Sequence, residues 1–356
     1  MIVPKHIQKI TPYKSDNPAE EMERALGIKV VQLGMNENPF GPSPKAVEAI
    51  RRRLENIERY PDDTGFYLRR KLAAHFGISM DEIIISAGSS DILVMAYYAL
   101  CSPGAEVLTA TSSFVVYYQL AAATNMRLVC VPMKDYGFDL DEMIKRVTPN
   151  TRLIVIANPN NPTGTIVRRR ELDAFMKRVP DDALVILDEA YFEYVNDPEY
   201  PSSLDYLRQG QSVLILRTFS KVFGLAGLRI GYGIACRDII DTLYKVRMPF
   251  NTNTVAQVAA LAAWDDHEHI QKSVRLNREG MEFLYAGLSK RGIQVVPSFA
   301  NFLLMDLHRS AAEVSSAFLK HGVMVRPAWG IPTAIRVSVG TREQNEQFLD
   351  ALDKVL

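Results

Sequence analysis

"TFSKVFGLAGLRIGYG", residues 218–233, follows the apolar run "SVLILR" and sets one lysine, Lys221, between a strand and a series of glycines. Most lysines lie in solvated positions. This one ends an apolar strand, beside backbone freed by Gly224, Gly227, Gly231 and Gly233, with Arg229 eight residues further on. An amine held there has a use if something with a carbonyl or an anion must be gripped at the strand end.

The strand before Lys221 is one of six short apolar runs. The others are "IIISA" (83–87), "EVLTA" (106–110), "RLVCVP" (127–132), "RLIVIA" (152–157) and "LVILD" (184–188). Amphipathic stretches separate them, such as "SDILVMAYYAL", with Ile92, Leu93, Ala96, Tyr97 and Leu100 on one face. Strands that are apolar throughout, rather than alternating, predict a mostly parallel sheet covered by helices on both faces. After residue 250 the pattern changes to long helices, then "IQVVP", "NFLLMDL", "VMVRP" and "AIRVSV", and a last helix after Thr341. The expected fold class is therefore α/β, a large domain with a smaller α+β companion. We read residues 46–265 as the large domain, 266–356 as the small one, and 1–45 as an arm packing on the small domain. The first 40 residues are expected to be irregular, ending at the cap-and-proline pair Ser43 and Pro44.

The 356 residues are 47% hydrophobic, enough for a large core. Forty-one basic side chains balance 41 acidic ones, so no overall field points to nucleic acid or to a charged membrane surface. Cys101, Cys130 and Cys236 form no CxxC motif and are expected to be reduced, buried small residues of a cytoplasmic protein. No run approaches the roughly 20 apolar residues of a membrane span, and the opening residues do not read as a signal peptide. His267 and His269 have no matching ligand cluster, so no metal site is expected.

In a parallel α/β sheet, ligands bind beyond the carboxyl ends of the strands. Those positions carry a chemically coherent set. Gly88, Ser89 and Ser90 stand at a helix start, where free amides and the dipole favour a phosphate. Asn161 lies in "NPNNPTG", held by prolines. Asp188 ends an apolar strand in "DEAY", which is costly to bury without a cation, and Tyr191 follows it by three residues. With Lys221 and Arg229, these are the needs of pyridoxal phosphate: an amine for its aldehyde, a carboxylate for its ring nitrogen, and donors for its phosphate.

"SKVFGLAGLRIGYG", "NPNNPTG" and "DEAY" resemble the pyridoxal-phosphate aminotransferases of the aspartate aminotransferase fold (fold type I). "ITPY", "NENPFGPSP", "RYPDDTG", "PFNTNTVAQ" and "IRVSVGTREQNEQFL" are similar to the histidinol-phosphate aminotransferase family in particular, and the match runs over nearly the whole chain. The resemblance implies Lys221 as the lysine on the cofactor's aldehyde, Asp188 on the ring nitrogen, and Tyr191 and Asn161 on the ring hydroxyl. It implies Ser89, Ser90, Ser220 and Arg229 on the phosphate and Phe114 stacked on the ring. Tyr60 matches a tyrosine that reaches the neighbouring subunit's cofactor, which implies a homodimer with shared sites. Tyr13, Arg326 and Arg336 match residues that grip the substrate's phosphate or carboxylate.

The implied reaction is amino transfer from histidinol phosphate to 2-oxoglutarate, in histidine biosynthesis. An aromatic or general amino acid aminotransferase and a phospho-amino-acid decarboxylase stand as alternatives on the same cofactor. The chain departs from the family's pattern where Tyr13 precedes "KSDNP" and where the phosphate cradle reads "AGSSD".

Overall fold

The computed structural model describes residues 2–12 and 17–356. Strand β1 (Val31–Gln32) precedes a seven-stranded sheet of β2 (Ile83–Ser86), β3 (Glu106–Ala110), β4 (Arg127–Val131), β5 (Thr151–Ala157), β6 (Leu184–Asp188), β7 (Val213–Thr218) and β8 (Gly231–Ala235). Their order is β2-β8-β7-β6-β5-β3-β4. From β7 to β4 every pairing is parallel, while β8 runs antiparallel to both β2 and β7. The chain moves outward from β3 to β4 and then returns to β5 on the other side of β3, so the order reverses between β3 and β5. Loops leaving neighbouring strands part at such a point and open a crevice at the carboxyl ends.

All six sequence-predicted runs are strands of this sheet, and β2, β3, β6 and β7 are buried at every position. Helices pack on the two faces around two separate cores, one containing Ile154, Ile156, Val185 and Phe219, the other Leu153, Val155, Ile186 and Leu214. Alternate residues of the same strand thus belong to opposite faces, which is why these strands show no polar side.

The seventh strand, β8, carries glycines that in the sequence suggest loosened backbone. Gly231 and Gly233 instead serve close approach. A Cβ on Gly231 would sit 2.6 Å from the amide nitrogen of Ser89, and one on Gly233 would lie 3.1 Å from Ile84. Gly224 does need its freedom: its φ is +68° and a Cβ would strike the backbone of Gly41.

The C-terminal part carries β9 (Val295–Val296), β10 (Phe302–Asp306), β11 (Val323–Met324), β12 (Arg326–Pro327) and β13 (Ala334–Ser338). β12, β13, β10 and β9 form an antiparallel sheet in that order. Helices Ala311–Lys320 and Arg342–Val355 bury Phe318 against Phe348, their rings stacked with centroids 5.3 Å apart. Thr341 caps the last helix through a capping box with Gln344.

Two expectations need correcting. The N-terminal 40 residues are not wholly irregular: Ala19–Leu26 is a helix of good helix formers with acidic residues in its first turn and Gly27 as left-handed C-cap, and β1 pairs in parallel with β11. Cys101 and Cys130 are exposed rather than buried, because Cys101 follows the end of helix Ser89–Leu100 and Cys130 lies on the edge strand β4. The Ser43 cap is as expected, its hydroxyl accepting from the Ala46 amide at 3.3 Å. No helix among the described residues is long and apolar enough to cross a membrane.

Candidate functional site

The loops beyond β2, β3, β5, β6 and β7 line one cavity of about 1270 Å³, closed on its other side by residues of β12 and β13 and by Lys9–Pro12. Ser89, Ser90, Phe114, Asn161, Asp188, Tyr191, Ser220, Lys221, Arg229, Arg326 and Arg336 all reach it. Eleven predicted side chains thus converge from seven separate stretches of the sequence, which the order of parallel strands makes possible.

One end of the cavity is built for an anion. Helix Ser89–Leu100 begins at Gly88 (φ +90°) with no side chain capping it, so its first amides keep their donors for a ligand. Arg229 is pressed against that turn: a Cβ on Gly88 would lie 2.6 Å from its Nη2. Its Nη1 donates to Ser220 Oγ at 3.3 Å and to the Ala226 carbonyl at 2.9 Å. A helix N-terminus, a guanidinium and serine hydroxyls around one space fit a phosphate monoester. Ser89 and Ser90 are the first residues of the helix rather than a cap before it.

Across the cavity, Asp188 ends β6 almost fully buried. Its Oδ2 accepts from Tyr117 at 2.6 Å and its Oδ1 from the Ala190 amide at 3.3 Å. Burial pushes its pKa from 3.8 up to about 6, against the two hydrogen bonds; neighbouring Glu189 adds to the rise and Lys221 opposes it through space. A carboxylate so placed fits a protonated ring nitrogen, which would supply the cation it lacks at contact distance.

Lys221 stands between these ends. Its Nζ donates to the carbonyl of Asn36 at 3.2 Å and lies 5.5 Å from the Tyr191 ring centroid. Burial, then the charge of Arg336, bring its pKa down from 10.5 to about 8; Arg229 acts in the same direction, while Glu37 and Asp188 oppose it. An amine so tuned has a substantial neutral fraction near physiological pH, which a nucleophile or proton acceptor requires. The donor set as a whole therefore fits pyridoxal phosphate.

Tyr191 is buried, its hydroxyl accepting from Asn36 Nδ2 at 3.0 Å. Asn161 is engaged through its Oδ1 by Arg336 Nη1 at 2.6 Å. Arg326 and Arg336 are direct cross-strand partners of β12 and β13, so two guanidiniums enter the cavity from adjacent strands. Phe114 packs edge-on against Tyr117, with ring centroids 5.6 Å apart.

One predicted residue stands apart. Tyr60 is 81% exposed, stacks on Phe250 at 4.7 Å and does not line this chain's cavity. Tyr13 lies outside the described residues. Sequence reasoning missed Tyr117 and Asn36. Tyr117 sits three residues after Phe114, one helical turn on, and Asn36 lies inside the quoted "NENPFGPSP"; neither position shows its partner without the fold. Among the described residues, no group of three His, Cys, Asp or Glu could hold a metal ion.

The family model described as "Aminotransferase class I and II" matches residues 28–352. A histidinol-phosphate aminotransferase of Moorella thermoacetica is 46% identical over 98% of this chain and 92% of its own length. One from Nitrosococcus oceani is 44% identical over 98% and 95%. Among solved structures, the histidinol-phosphate aminotransferase of Sinorhizobium meliloti in complex with pyridoxal-5'-phosphate superimposes with a TM-score of 0.91 at 28% identity, covering 99% of this chain and 97% of that one.

The buried acid has a measurable consequence in the ligand-free protein. Because the folded chain binds a proton on Asp188 that the unfolded chain has released, Asp188 lowers stability as pH rises from about 4 through about 6. Asp188→Asn is expected to raise the unfolding free energy of the ligand-free protein at pH 8 by about 1–3 kcal/mol, with no gain below about pH 4. Urea titrations at both pH values would check this; a loss of stability at pH 8 would contradict it.

Proposed function

The chain belongs to the class I and II aminotransferases and works with pyridoxal phosphate, and from that premise we propose that it moves the amino group of histidinol phosphate to 2-oxoglutarate, a step of histidine biosynthesis. The observation that carries the substrate reading is the arginine pair across β12 and β13. A dianionic phosphate has more acceptor oxygens than one guanidinium satisfies, and two planar donor forks side by side suit it. The same pair can receive a carboxylate of 2-oxoglutarate in the return half of the reaction.

When bound, pyridoxal phosphate supplies an aldehyde for the amine and an electron sink for the carbon that loses its proton. The protein's part is position and proton transfer. We propose that the helix start at Ser89 and Ser90, with Ser220 and Arg229, holds the cofactor phosphate, and that Asp188 keeps the ring nitrogen charged. Tyr191 and Asn161 would face the ring hydroxyl, and Phe114 would stack on the ring. Lys221 Nζ would hold the cofactor at its aldehyde carbon and, once freed, would be the base that takes the proton from the amine-bearing carbon. Its lowered pKa supports that role.

We also propose a homodimer with shared sites in the cytoplasm. Tyr60 supports the dimer, being exposed and stacked on Phe250, itself exposed, while Leu54, Ile57, Phe66 and Tyr67 close to it in the chain are also open to solvent. The division into an arm (1–45), a large domain (46–265) and a small domain (266–356) belongs to the same reading, supported by the pairing of β1 with β11.

Arg326→Ala is expected to weaken kcat/KM for histidinol phosphate about 10- to 150-fold more than for phenylalanine or tyrosine, the worth of one charge-assisted hydrogen bond at ~1.5–3 kcal/mol. Donor profiling with 2-oxoglutarate reads this directly. Equal losses on all donors, or a wild-type preference for aromatic amino acids, would replace the substrate reading with an aromatic aminotransferase.

The dimer is tested by mixing. Lys221→Ala and Tyr60→Ala chains, each severely impaired alone, are expected to recover up to about a quarter of wild-type activity when unfolded and refolded together in equal amounts, since about half of the dimers are mixed and each of those carries one intact site of two. A monomer by light scattering at micromolar concentration would end the proposal.

A further inference from the structure

Tyr117 takes no part in the roles assigned above, yet its hydroxyl makes the shortest contact to the most consequential acid of the site. The residue lies in helix Val115–Ala123, fully buried, with its ring fixed on one side by the edge-on ring of Phe114. Its backbone is held as well: the amide donates to the Phe114 carbonyl at 3.0 Å and the carbonyl accepts from Tyr97 Oη at 3.2 Å. A phenol pinned at both ends can point its O–H in a defined direction. Here that direction is Asp188 Oδ2, at 2.6 Å, within the range of O–H bonds to an ionised oxygen.

We propose that Tyr117 is a positioning residue for Asp188: its hydroxyl fixes the second carboxylate oxygen and keeps the charge on Asp188 that the ring nitrogen of pyridoxal phosphate needs. The inference rests on the reading that Asp188 meets that nitrogen. The proton in the shared hydrogen bond stays on the phenol, since burial first, and then the charge of Asp188, raise the Tyr117 pKa well above its ordinary value. A neutral donor facing a carboxylate favours the ionised acid, opposing the rise that burial imposes. The other charged groups acting on Asp188 are Glu189 next to it in the chain and Lys221 beyond β7, and the charge of Asp188 in turn pushes up the phenols of Tyr191 and Tyr200. Of these, only Lys221 also favours the charged acid, and it does so from a distance. Among the described residues, removing the Tyr117 hydroxyl therefore leaves one backbone amide as hydrogen-bond donor to the carboxylate.

The test uses Tyr117→Phe, which keeps the ring and its packing, alone and combined with Asp188→Asn, with the dissociation constant of pyridoxal phosphate read by fluorescence and kcat/KM read against pH. In the Asp188 protein, loss of the hydroxyl is expected to weaken cofactor binding about 10-fold and to move the acid limb of the pH profile upward by about one unit, equivalent to ~1.4 kcal/mol on the charged state. In the Asp188→Asn protein the same change is expected to cost at most about threefold, because no charge remains to be held. If Tyr117→Phe changes neither binding nor the acid limb while Asp188→Asn is damaging, Tyr117 only fills space and the inference fails alone. Equal losses in both backgrounds overturn it in the same way. If Asp188→Asn is itself harmless, the reading of Asp188 fails and takes this inference with it.

Discussion

At the end of β6 a carboxylate is buried with one phenol and one backbone amide as its hydrogen-bond donors, and desolvation raises its pKa to about 6. A buried charge without a contacting cation costs stability unless it is neutralised or paired. Among the described residues none of the arginines of the cavity pairs with it; Arg229 lies against the start of helix Ser89–Leu100, and Arg336 binds Asn161 and the Gly34 carbonyl. The site is therefore electrically incomplete as a protein alone. A ligand with a cationic ring nitrogen at one end and a phosphate at the other completes both ends at once.

The spacing that allows this comes from the sheet. Parallel strands deliver their following loops to one edge, and the reversal of order between β3 and β5 opens the space between those loops. Lys221 sits where it feels both halves of the site: Arg336 and Arg229 depress its pKa, and Asp188 restores part of it. Anion binding near either arginine would weaken that depression, so the basicity of the amine responds to what is bound. The geometry thus links anion binding at the arginines to the basicity of Lys221.

Much of this was legible because strand ends in a parallel sheet are a short list. Asp188, Lys221, Asn161 and the Gly88–Ser90 turn stand out by being polar directly after apolar runs, and the cavity gathers them. Tyr117 was hidden because an aromatic inside "FVVYYQL" is indistinguishable from core, and its hydroxyl becomes informative only once β6 lies beside it. Strand β8 was hidden because its glycines lower strand propensity, although the reason for them is the Ser89 amide packed on Gly231. Edge position, which decides the exposure of Cys130, is a property of strand order and leaves no mark in five local residues.

In the proposed site Asp188 is a buried anion that a ring cation would pair. The most direct measurement compares the affinity of the protein for pyridoxal phosphate and for its 1-deaza analogue, in which a carbon replaces the ring nitrogen while aldehyde, hydroxyl and phosphate remain. Pyridoxal phosphate is expected to bind at least about tenfold tighter, the lower end of what a buried charge-assisted hydrogen bond contributes. Equal affinities for the two compounds would contradict it.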